Sequence, residues 1–303
     1  MLDLDAYTRQ SRFSDPGKFT PLIAALPTDV GEMTAVIRNV ITHYRAGGVE
    51  FTGDHLDEIN GRWVDRILAA DQARRAQPLA VPRAPADRVA GCCRDFTLLA
   101  VAALRHRGIP ARSRIGFASY FLPDFHCDHV IVDYWDGDRW VFLDAELDPT
   151  REWPFNPADM PRLVGAAPVG APVFATAAQV WTAYRRGDID DMRYGVDPSL
   201  PFRGAAFIRD YVIGELAHLQ RDEMLLWDGW GAMSLDLGDD LTLIDEVAAL
   251  LLAADDGDAS ASVELAKRYA EDARLGVRDR IVSHTPNGRV FWTDVENRQT
   301  GEL

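Results

Sequence analysis

A thiol, an imidazole and a carboxylate stand along this chain in the order Cys93, His129, Asp144, separated by 36 and 15 residues. Those three groups suit nucleophilic catalysis. A thiolate attacks a carbonyl, an imidazole moves the proton, and a carboxylate holds the imidazole in one tautomer with its other nitrogen available. The cysteine is one of an adjacent pair, Cys92 and Cys93. Helical phase alone does not choose between them, since Cys92 aligns with Phe96 and Cys93 with Thr97. Taken without a wider motif, a buried structural thiol is the preferred reading of Cys93. Both cysteines open an apolar segment, and the first turn of a helix offers N–H groups and the positive end of the dipole, which favour an anion.

The elements that must place these groups follow from the surrounding pattern. Cys92 to Arg107 reads as a buried helix, because Phe96, Leu98, Leu99, Val101, Ala102 and Leu104 leave little polar surface. Gly108-Ile109-Pro110 stops it, with glycine suited to the position after the cap and proline unable to continue. Ala111 to Phe121 reads as a strand. Two more follow, His129 to Trp135 and Asp138 to Ala145, joined by Asp136-Gly137, a strong hairpin signal. A two-residue turn there sets Trp135 opposite Asp138 and, counting back, His129 directly opposite Asp144, with Cβ atoms about 4.5–5.5 Å apart.

Upstream, residues 29–45 carry Val36, Ile37, Val40 and Ile41 at helical spacing. Residues 57–75 do the same with Ile59, Trp63, Ile67 and Leu68, and a proline-bearing loop spans 77–87. Past Pro149 the character changes. Residues 150–175 are rich in proline and glycine, helical patterns return at 177–186, 207–227 and 241–254, and 289–295 reads as a late strand. The expected organisation is a catalytic core over residues 1–150 and a mainly helical extension over 151–303.

Taken together, Gly91-Cys92-Cys93-Arg94-Asp95-Phe96 and Leu104-Arg105-His106-Arg107-Gly108-Ile109-Pro110-Ala111-Arg112 resemble the transglutaminase-like superfamily. That family's core reads G-x-C, a helix, R-x-x-G-I-P-A-R, a strand, a strand opening on histidine, and a strand of the form G-x-W-V-x-x-D. Here the last two pieces are His129-Val130-Ile131-Val132-Asp133-Tyr134 and Asp136-Gly137-Asp138-Arg139-Trp140-Val141-Phe142-Leu143-Asp144, so all parts fall in order over roughly residues 85–150. Several linked motifs at compatible spacing weigh far more than any one. The resemblance implies an α+β fold of papain-like type, a cysteine-bearing helix packed on an antiparallel sheet. It also implies Cys93 as nucleophile, His129 as base and Asp144 as orienting carboxylate, with Cys92 at the variable position of G-x-C. Trp63 lies upstream, where transglutaminases supply an indole N–H to the oxyanion, although core packing is the expected job here. Arg94 and Asp95 are expected to form an ion-paired helix start, and Arg112 to anchor a loop.

Composition narrows the class. Lys and Arg number 32 against 47 Asp and Glu, a formal charge of −15, which argues against duplex nucleic acid and against an anionic membrane surface. Three cysteines, two of them adjacent, cannot make a disulfide framework, and the N-terminus has no apolar leader segment. A soluble cytoplasmic protein is expected. His126, Cys127 and His129 beside Cys92 and Cys93 raise a zinc alternative, but neither the cysteine nor the histidine spacing of structural zinc sites occurs, so neither metal nor cofactor is expected.

The expected chemistry is attack of the Cys93 thiolate on a carboxamide, ester or thioester, with a thioester intermediate passing its acyl group onward. Transfer to an amine, on a small or peptide-like substrate, is the first reading. Hydrolysis by a cysteine peptidase or amidase is the alternative, and a non-catalytic binding protein of the same fold is the second alternative. A small-molecule or peptide acyl donor and an amine acceptor are the expected partners.

Overall fold

A computed structural model describes residues 4–163, 173–234, 236, 241–278 and 280–303. The proline- and glycine-rich stretch expected over 150–175 therefore lies partly outside the described residues. Helices and antiparallel strands form an α+β fold, divided into two compact units that are not continuous in sequence. One comprises residues 3–113 and 130–160, the other 114–129 and 161–303.

The first unit is built around a helix that is buried on every side. Its elements in chain order are α1 (Thr20–Ala24), α2 (Val30–Val40), β1 (Ile41–His43), α3 (Gly53–Asp57), α4 (Val64–Arg74), β2 (Val89–Gly91) and α5 (Cys93–His106). The start of β3 (Ala111–Leu122), the end of β4 (Phe125–Trp135), and β5 (Trp140–Leu143) complete it. Residues 93–105 of α5 are all buried, and α1, α2 and α4 pack against it. The Asp29 side chain accepts the Glu32 N–H to start α2. That helix ends at Val40 rather than running on to 45. β-branched Ile41 and Thr42 extend instead and pair in parallel with β2, Ile41 beside Val89 and His43 beside Gly91.

Residues 57–75 are likewise not one helix. The chain breaks at Gly61, where a Cβ would lie 2.9 Å from the Glu58 carbonyl oxygen, and α4 starts afresh after Trp63.

The second unit holds the remainder of β3 and β4, then β6 (Phe174–Thr176), α6 (Ala177–Arg186), β7 (Tyr194–Gly195), α7 (Ala205–Leu219), β8 (Asp228–Gly229), α8 (Thr242–Asp255), α9 (Ala259–Glu271), β9 (Arg280–His284), β10 (Val290–Asp294) and β11 (Gln299–Glu302). Its helices pack α6 on α7 and α8, and α8 on α9. The expected late strand is β10, the middle of an antiparallel sheet ordered β11-β10-β9-β8. The helix expected over 207–227 closes at Leu219, since Arg221 takes a left-handed φ of 65° and the Asp222 N–H returns to the Ala217 carbonyl.

A buried ionic cluster ties this unit together. The Arg114 guanidinium on β3 donates to Glu215 of α7 at 2.6 Å and to both carboxylate oxygens of Asp255 at 2.7 and 2.6 Å, while Glu215 also accepts the Ala178 N–H. Burial pushes the Glu215 carboxyl up against the pull of Arg114.

Strand order in the main sheet is β5-β4-β3-β6, with β7 beside β4. Among the described residues no helix is long and apolar enough to cross a membrane.

Candidate active site

Cys93 is the first residue of α5, and Cys92 is the cap before it, in extended backbone with φ −127° and ψ −178°. The Asp95 carboxylate accepts the Cys92 N–H at 2.9 Å, the reach-back of a capping box. It also takes a hydrogen bond from the Arg94 guanidinium at 3.0 Å, and Arg94 donates on to the Arg62 carbonyl. Arg94 and Asp95 are 1% and 3% exposed, so this pair is a buried clamp on the helix start, as the sequence suggested. Burial pushes the Asp95 carboxyl up against Arg94 and the Cys92 N–H.

The glycine of G-x-C has a matching reason. A Cβ at Gly91 would lie 2.9 Å from the Asp95 carboxylate and 2.9 Å from an Ile41 methyl group, so only glycine leaves room for the cap and for β1.

The two cysteines differ in environment. A hydrogen bond with the Cys93 side chain acts most strongly on Cys92, in the lowering direction, yet burial and Asp95 together hold the Cys92 thiol above its ordinary range. The net shift thus favours the protonated form of the Cys92 thiol. One turn on from Cys93, the Thr97 hydroxyl donates to the Val130 carbonyl at 2.8 Å. That bond fixes the cysteine helix to β4 at the residue following His129.

His129 lies in β4, 2% exposed, with the Phe121 ring edge-on at 5.0 Å and Tyr120 at 6.1 Å. Its neighbour Asp128 accepts the Tyr211 hydroxyl at 2.5 Å.

Asp144 stands just past β5 and is 1% exposed. Its N–H donates to the Pro157 carbonyl at 2.9 Å, and its carboxylate accepts the Glu146 N–H at 3.0 Å. Arg38 of α2 lies close by, donating to the Ala145 carbonyl at 3.4 Å. Burial lowers its pKa, opposed by the charges of Asp148 and Asp144.

The hairpin register differs from the expected one. Trp135 pairs with Trp140, and Val132 with Leu143, so the loop has four residues, 136–139, instead of two. The cause is Asp136, whose carboxylate accepts the N–H groups of both Asp138 and Arg139 at 2.9 Å and draws them into the turn, while Gly137 takes φ 112°. The pairing therefore shifts by two residues. Continued one step beyond β5, it sets Asp144 opposite Ile131 rather than His129. A shift of two preserves which face each paired residue occupies, and the ladder itself ends at Val132 and Leu143.

The remaining residues singled out by sequence have structural partners. Trp63 is 6% exposed at the cap of α4, beside the Arg62 carbonyl that Arg94 holds. Arg112 donates to Asp133 at 2.8 Å and lies 4.0 Å over the Trp140 ring and 5.4 Å from Tyr7, anchoring the N-terminal turn of residues 4–8. His126 is three residues from His129 along β4 and so faces the other way. It stacks on Tyr194 at 4.2 Å, and burial followed by Arg193 lowers its pKa. Cys127 is half-buried.

Sequence reasoning missed Thr97, Arg38 and the aromatic pair beside His129. Asp95 carried a readable signal, an acid three residues after the cap.

The profile of the transglutaminase-like superfamily matches residues 62–145. No curated protein matches the chain. Among solved structures, "a Putative Cysteine Protease from Cytophaga hutchinsonii" aligns at 22% identity and a TM-score of 0.30, over 50% of this chain and 44% of that one. The chain thus spans less than half the length of that structure. The part of the chain similar to the transglutaminase-like superfamily thus runs from Arg62, just before α4, to Ala145, just after β5.

Proposed function

We propose that this protein is a cysteine-dependent acyltransferase working through a thioester on Cys93. The superfamily match supports cysteine-based catalysis in general. The observation that carries the sharper reading is Cys93 at the first position of a fully buried helix, its start clamped by Asp95 and Arg94. There the dipole and first-turn N–H groups favour a thiolate and, later, the oxyanion of a tetrahedral intermediate.

In this scheme the Cys93 sulfur adds to the acyl carbon of a carboxamide, ester or thioester. The Cys93 backbone N–H helps to hold the oxyanion, and His129, oriented by Asp144, protonates the departing amine, alcohol or thiol. The thioester then passes its acyl group to an incoming amine, whose proton His129 accepts. Transfer is favoured over hydrolysis because Cys93, His129 and Asp144 are 4%, 2% and 1% exposed, and a dry thioester outlives a wet one. The apolar residues of α7, Ile208, Val212 and Ile213, are core residues of their own unit and supply no further argument for a cover.

The test is the product ratio from an activated acyl donor with and without a panel of amines. Amide product that rises with amine concentration supports transfer. Free acid alone, unchanged by every amine, leaves a cysteine hydrolase, and no turnover with either acceptor leaves a binding protein.

A further inference from the structure

Between Asp144 and Met160 the chain forms an ordered loop whose two ends are held on β5. The Asp144 N–H donates to the Pro157 carbonyl and the Met160 N–H to the Phe142 carbonyl, each at 2.9 Å. Asp148 organises the entry, accepting the Thr150 N–H and hydroxyl on its carboxylate and the Trp153 indole N–H on its carbonyl. Asn156 organises the exit by accepting the Ala158 N–H. Within this loop, Pro149 and residues 151–157 line an open cup of about 660 Å³, the size of a small-molecule site. Pro149, Pro154 and Pro157 fix its backbone and withhold N–H donors, so the cup is preformed.

Its wall offers three kinds of contact. Trp153 and Phe155 are half-exposed aromatic surfaces, Glu152 is an exposed carboxylate, and Arg151 is an exposed guanidinium. We propose that this cup is a binding subsite for an α-amino amide or the amino end of a peptide. The ammonium meets Glu152, the carbonyl oxygen meets Arg151, and an apolar side chain packs on Trp153 and Phe155. The net charge of −15 favours such a cationic ligand at long range. The cup hangs from the backbone of Asp144, whose N–H holds the Pro157 carbonyl.

The test is calorimetric titration of Cys93→Ala protein with phenylalaninamide, which separates binding from chemistry. Saturable binding at one site is expected. Glu152→Gln weakens it about fivefold, replacing the probe by N-acetylphenylalaninamide gives a similar loss, and Trp153→Ala weakens it about tenfold or more. Because the Trp153 indole also holds the loop, Trp153→Phe serves as the second variant and retains affinity within about threefold. No saturable binding, or unchanged affinity in both Glu152→Gln and Trp153→Ala, overturns the subsite. Binding without acyl transfer by the unmodified protein would leave the subsite standing and remove the catalytic reading.

Discussion

Thr97→Val isolates the bond that joins the cysteine helix to the histidine strand. The substitution replaces a hydroxyl by a methyl group of similar size at a site 1% exposed, so packing is conserved and the main loss is the 2.8 Å hydrogen bond to the Val130 carbonyl. A buried hydrogen bond of this kind contributes about 0.5–1.5 kcal/mol, and an acceptor left short of its donor adds to the cost, which gives about 1–2 kcal/mol. For a domain of this size each kcal/mol moves the midpoint by about 2–4 °C, so the melting temperature falls by roughly 2–8 °C. Thr97→Ser keeps the hydroxyl and should recover most of the bond at the cost of one methyl group. The functional consequence is read from the rate of Cys93 alkylation at fixed pH, which should drop in Thr97→Val and stay near the original in Thr97→Ser. If Thr97→Val melts and alkylates like the unmodified protein, the bond does not couple helix to strand, and the geometric argument for the site loses its anchor.

Three further outcomes are expected. Iodoacetamide should modify Cys93 before Cys92 or Cys127 at neutral pH, although Cys127 is the most exposed of the three; peptide mapping after partial labelling checks this, and preferential labelling of Cys127 would contradict an activated thiol. Asp144→Asn should fold yet lose roughly 10²–10⁴-fold in rate, because an amide holds the imidazole without a charge to stabilise imidazolium, and a rate within a factor of about three of the original would remove Asp144 from the mechanism. Burial, opposed by Arg209, pushes the Asp210 carboxyl up to about 6. The native state therefore binds that proton more tightly, and the resulting stability is present below about pH 4 and lost as pH rises to about 6. Its side chain is 34% exposed, so solvent screens the effect to about 1 kcal/mol; Asp210→Asn should flatten that part of the stability profile, measured by urea unfolding from pH 4 to 7.

Local signals in the sequence carried the cysteine helix and the strands after it. The apolar run after Cys93 and the Gly108-Ile109-Pro110 stop placed α5 to within a residue, and α6 spans the expected 177–186. Errors arose where a side chain redirected the backbone. Asp136 enlarged the hairpin turn by capping two N–H groups, which the Asp-Gly signal does not report, and β-branched Ile41 and Thr42 left helical spacing to pair with β2. Short elements such as β2, β6 and β7 have too few residues to show a period, and their pairing is set by distant partners. The interleaving of residues 114–129 with 161–303 is of the same kind, since β3 pairs with β6 across more than fifty residues of chain. At the site, the start of the cysteine helix and its cap were readable because a helix start has local rules. Phe121, Tyr120 and Arg38 were not, because their closeness to His129 or Asp144 arises only from the fold.

Intact-mass analysis after brief incubation with an activated acyl donor, followed by peptide mapping, tests the thioester on Cys93 most directly. The account predicts a single acyl adduct on Cys93, absent from Cys93→Ala, present in Cys92→Ser, and discharged on adding an amine. An adduct on Cys92 or Cys127, or none under conditions where product forms, would contradict it.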